Sequence, residues 1–140
     1  MLARRAAAVL ACAGTLLIPA SAFAARSVGS YEQIAWVRRA ASNFVTAELA
    51  GNGAGVCAVL NAPLRADEHD RTCAQRWNLR LSRLLHEPGS RAHLRAQRHA
   101  IATAAVVVHG DIASLRLPSA LAAQPSNRFI WSENCWMLAG

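Results

Sequence analysis

The sequence contains no lysine: all fifteen of its basic residues are arginine, and alanine is abundant. Ala and Arg codons are GC-rich, so this bias reflects genome composition before it reflects a partner. The arginines are spread along the chain, and the densest stretch, Arg71 to Arg98, holds a single aromatic residue, Trp77. A nucleic-acid site needs a clustered basic face with stacking aromatics. Nucleic acid is therefore not an expected partner; a solvated basic face, or weak attraction to an anionic envelope, is.

Carboxylates are scarce as well. Glu32 and Glu48 fall on a first helix, Asp67, Glu68 and Asp70 at the start of a later one, Glu87 at its end, and Asp111 and Glu133 in turns. None interrupts an apolar strand, so each is expected in a solvated or capping role. That argues against a strand-borne buried carboxylate, whose raised pKa would suit a general base. His69, His86, His93, His99 and His109 form no pair with metal-ligand spacing and a third ligand. There is no nucleophile elbow to support a Ser/His/Asp triad, and no repeat outside the N-terminus. No metal site and no cofactor is implied.

What is present begins with residues 1–24, which read as a secretory signal peptide. Arg4-Arg5 make a positive start, Ala6 to Ile18 an apolar core, and Pro19 breaks it. Ala22-Phe23-Ala24 then places small residues where a signal peptidase reads, predicting cleavage between Ala24 and Ala25. The apolar run is too short and Ala-rich for a good membrane span. A retained anchor is the main competing reading. Arg4-Arg5 lack the bulky apolar pair of a twin-arginine signal. Lipidation at Cys12 would leave a core shorter than the usual ~7 to 15 residues. The expected product is a secreted or envelope-located domain over residues 31–140, behind a short flexible lead at 25–30, with no integral membrane span.

In the mature chain, Ser30 and Gln33 have capping-box spacing. Ile34, Val37, Ala41, Phe44 and Val45 follow at helical spacing, predicting a helix from Tyr31 to Ala50 that Gly51-Asn52-Gly53 ends. A short helix is expected over Ala54–Leu60, broken near Asn61-Ala62-Pro63. Another should carry Cys73, Trp77, Leu81, Leu84 and Leu85 on one stripe, ending before Pro88-Gly89. Past Gly89 the pattern turns to strands, and His93 and His99 could share one strand face. Two hairpins follow, Thr103–Val108 with Ala113–Leu117, and Arg128–Trp131 with Cys135–Leu138. Helices first and an antiparallel sheet afterwards is an α+β order.

Three cysteines remain after the signal. Cys57 and Cys73 lie on neighbouring helices, and a disulfide between them would close a loop of roughly 15 residues, contributing about 3 kcal/mol. The alternative is two buried free thiols. Cys135 is either a third thiol or the link in an intermolecular dimer. Trp36, Phe44 and Trp77 recur at helical spacings, suiting core or pocket lining better than a cofactor box.

Taken together, Ala50-Gly51-Asn52-Gly53 leading into Val56-Cys57-Ala58-Val59-Leu60, the later Cys73, the segment His109-Gly110-Asp111-Ile112-Ala113 and the closing Trp136 resemble a known group. They are similar to small exported, actinobacterial-type members of the nuclear transport factor 2-like superfamily. That pattern has an Asp where Asn52 stands and a Gly where Cys135 precedes Trp136. The resemblance implies a curved antiparallel sheet wrapped on the helices as a cone, open at one end. Some enzymes of the superfamily, such as ketosteroid isomerases and polyketide cyclases, place an Asp, His or Tyr inside it. Three functions are then in view: non-catalytic binding of a small apolar ligand or an envelope protein, an isomerase or lyase using a pocket His such as His99 or His109, and a structural envelope protein without a ligand.

Overall fold

A computed structural model of the chain describes residues 26–67, 70–121 and 127–139. The expected signal and its Ala24–Ala25 bond lie outside these residues. Helix α1, Tyr31–Leu49, starts at the capping box: the Gln33 N–H donates to Ser30 Oγ at 3.1 Å and the Ser30 N–H to Gln33 Oε1 at 3.0 Å. Its stripe of Val37, Ala41, Phe44 and Val45 is buried.

Two short helices follow, α2 at Gly53–Ala58 and α3 at Ala62–Arg65. The break expected near Pro63 is thus a single helical turn, which proline at its start permits. Helix α4, Cys73–His86, begins later than its acidic lead suggested, because Thr72 and Gln75 form a second capping box there. Asp67 still serves the helix start, accepting from the Cys73 N–H at 3.2 Å. Helix α5, Ser90–Ile101, occupies a stretch read as the approach to a strand, so His93 and His99 lie on a helix and share no strand face. Its buried positions Leu94, Gln97 and Ile101 keep helical spacing, and the polar Gln97 hides the stripe.

The sheet is a four-stranded antiparallel meander in the order β1 (Ala105–His109), β2 (Ile112–Arg116), β3 (Arg128–Ser132) and β4 (Cys135–Ala139). A single 3₁₀ turn, Ser119–Leu121, lies between β2 and β3. Glu133 and Asn134 join the last two strands with φ of 54° and 61°, the paired left-handed values of a type I′ turn. The register sets Val106 opposite Leu115, Val108 opposite Ala113, Ala113 opposite Phe129, and Phe129 opposite Leu138. These residues share one face and one core with α1. Arg38 fastens helix to sheet by donating twice to the Ala104 carbonyl, at 3.0 and 2.7 Å.

Both outer strands are covered. The Val28 N–H donates to Val106 O, and the Val108 N–H to Val28 O, each at 2.8 Å, so the lead expected over residues 25–30 supplies a pairing to β1. On the far side, the Leu138 N–H donates to Val59 O and the Asn61 N–H to Leu138 O. Among the described residues the chain is α+β, with five α-helices and one antiparallel sheet. Among the described residues, no helix is long and apolar enough to cross a membrane.

Candidate functional site

Helix α1 carries a second face. Trp36 and Asn43 stand at i and i+7 and are exposed, with Arg39 beside them, and Ala40 between them is buried at the edge of the core. The Trp36 ring stacks on Trp131 of β3, with centroids 5.7 Å apart and planes 12° from parallel. Trp131 in turn meets its cross-strand neighbour Trp136 edge-on at 5.6 Å. Three indoles thus run from a helix surface into the sheet. Trp36 is 45 % exposed at one end and Trp136 4 % exposed at the other.

Beside this row lies an open groove of about 450 Å³, between α1, the end of α2 and the β3–β4 turn. Trp36, Ala40, Val59 and Trp136 give it an apolar lining, and the exposed Arg39, Asn43 and Asn134 add polar groups. Cys135, the exposed first residue of β4, also lines it, with its Sγ 3.5 Å from the Ser132 carbonyl. A smaller hollow of about 170 Å³ shares Trp36 and Trp136 and continues past Trp131 to Gln33 and Asp111. The Trp136 indole N–H is buried and has no hydrogen-bond partner.

The sequence named Trp36, Phe44 and Trp77 together, and the structure distributes them. Trp36 lines the groove. Phe44 is in the core, edge-on to Trp77 at 5.8 Å. Trp77 lines a separate cleft of about 220 Å³ with Leu60, Leu64 and Arg80, whose guanidinium lies 4.7 Å from the Trp77 ring centre. Cys57 and Cys73 form a disulfide, with Cα atoms 6.1 Å apart, joining α2 to α4. His99 and His109 are both exposed and line neither groove nor cleft. Among the described residues, no group of three His, Cys, Asp or Glu side chains is placed to hold a metal ion.

One titratable group departs from the sequence reading. Glu48 was expected in a solvated role, yet only 3 % of its surface is exposed. Burial raises its pKa from the ordinary 4.5 to about 7, against the opposing pull of the Arg80 charge. The signal was present in the sequence. Positions 34, 37, 41, 44 and 48 are successive steps of three and four, so Glu48 continues the core stripe. It lines neither the groove nor the Trp77 cleft, so its proton is not presented to a bound molecule in either.

The groove's side chains can stack, exclude water and donate hydrogen bonds. Among the described residues, no histidine or carboxylate lines it to move a proton. No protein-family model, curated protein or solved structure matches the chain.

Proposed function

We propose that this protein is exported, loses residues 1–24, and acts outside the cytoplasm as a non-catalytic binding domain for a small apolar ligand. The observation that carries this reading is the row Trp36–Trp131–Trp136, whose two end members line an open groove of about 450 Å³. That volume is in the range of small-molecule sites, which are apolar with a few placed polar groups. A half-exposed tryptophan is costly to leave in water, and a bound apolar ring would cover it. A nuclear transport factor 2-like cone is the architecture proposed for the domain, supported by an α+β order in which a long first helix lies on an antiparallel meander. The absence of a histidine or carboxylate from the groove favours binding over an isomerase or lyase.

The test is fluorescence titration with N-phenyl-1-naphthylamine, a neutral, flat, apolar probe. The parent protein is expected to bind it saturably at one site. Trp36→Ala, at an exposed position, should weaken that binding about tenfold while leaving the circular dichroism spectrum unchanged. Absence of saturable binding, or equal affinity in the variant, would overturn the reading.

A further inference from the structure

The groove is chemically lopsided. Its described lining holds one guanidinium, two carboxamides and no carboxylate, against five apolar side chains, Trp36, Ala40, Ala58, Val59 and Trp136. The Arg39 side chain makes no ion pair or hydrogen bond among the described residues. It also borders a second hollow of about 400 Å³ that contains Arg38 and Arg98, so its surroundings add positive charge. The full chain carries a formal +7, and two of its arginines, Arg4 and Arg5, lie in the segment proposed to be removed; the 13 arginines and 8 carboxylates that remain still favour the approach of an anion.

The aromatic part is equally directional. Trp131 stacks on one face of the Trp36 indole, and 45 % of Trp36 stays exposed to a further partner. Trp36 and Arg39 are one helical turn apart, about 5 to 6 Å between Cβ atoms, a spacing that suits a ring bearing an acidic group. At the inner end, the Trp136 indole N–H is buried without an acceptor.

We infer that the groove takes a flat aromatic acid, its ring against Trp36 and its anionic group on Arg39. The inference rests on the reading of the groove as a ligand site and adds the charge and shape of the ligand. Guanidinium donors match a carboxylate or sulfonate with two parallel hydrogen bonds. Asn43 and Asn134 supply further donors near Arg39.

Two probes with the same skeleton isolate the charge: N-phenyl-1-naphthylamine, and 8-anilino-1-naphthalenesulfonate, which adds one sulfonate. Both would be titrated at 0.15 M salt into the parent, Arg39→Gln, and Arg83→Gln on α4 as a distant control. The parent is expected to prefer the sulfonate about tenfold, in line with one charge-assisted contact near the surface. Arg39→Gln should bring the ratio of the two affinities close to one, a ratio in which any general change in groove binding cancels, and Arg83→Gln should keep the parent's preference. Equal affinity for the two probes in the parent would overturn the inference and leave the ligand groove standing. A preference that survives Arg39→Gln, or falls equally in Arg83→Gln, would overturn it too. If neither probe binds, the groove reading itself fails.

Discussion

Glu48 and Arg80 show how a single carboxyl group sets a pH dependence for the whole chain. Glu48 binds its proton up to about pH 7 when folded and releases it near 4.5 when solvated. Between those values the folded state holds a proton that the unfolded state has lost. The Glu48 contribution to stability is therefore largest below about pH 4.5, falls as pH rises to about 7, and levels off above it, by on the order of 3 kcal/mol. Glu48→Gln keeps the shape and removes the titration. In urea unfolding the variant should match the parent near pH 4 and exceed it by about 1–3 kcal/mol at pH 8; an unchanged difference between the two pH values would contradict the assignment. This residue was legible from its position on the α1 stripe, but reading carboxylates for strands alone passed over it. The exposure of Trp36 was not legible in that way. It depends on which face of α1 meets the sheet, and helical periodicity does not say how far the sheet extends across the helix.

Helix α2 is held against α4 at close quarters. The Gly53 N–H donates to Asn78 Oδ1 at 2.8 Å, and a Cβ on Gly53 would stand 2.5 Å from the Ala74 carbonyl oxygen. The Cys57–Cys73 disulfide closes this junction across a sequence separation of 16, which contributes about 3 kcal/mol by restricting the unfolded chain. Replacing both cysteines with serine should lower the free energy of urea unfolding by roughly that amount. A loss under about 1 kcal/mol would show that packing alone secures the junction. The bridge was readable because Cys57 lies on a short helix and Cys73 on the apolar stripe of the next, either side of a polar, Pro-containing segment. The hairpins were readable from β-branched runs and turn residues, as at Gly110-Asp111. Helix α5 was harder: Gln97 interrupts its apolar stripe, and the β-branched residues just beyond Ile101 drew attention towards strands. Its Arg, Ala, Gln and Leu content favoured a helix throughout.

Across the whole molecule, the short pairings of Val28 and of Val59 with Asn61 cover the two edges of the sheet, where exposed backbone groups would invite another strand. A chain beginning at Gly29 loses the Val28 pairing and the hydrogen bond from the Val106 N–H to Ser27 Oγ. Compared with one beginning at Arg26, it should self-associate as concentration rises in sedimentation velocity; two identical monomers would show that β1 needs no cover. The opposite edge is built differently. Cys57 is followed at once by the groove residues Ala58 and Val59 and then by Leu60, which pairs with β4, while Arg65 reaches the β3–β4 turn through a 2.7 Å ion pair with Glu133. One wall of the groove is therefore anchored covalently at one end and by backbone and ionic contacts at the other. The ordering entropy of that wall is met during folding, so an incoming ring finds a surface already in place and keeps more of its contact energy as affinity.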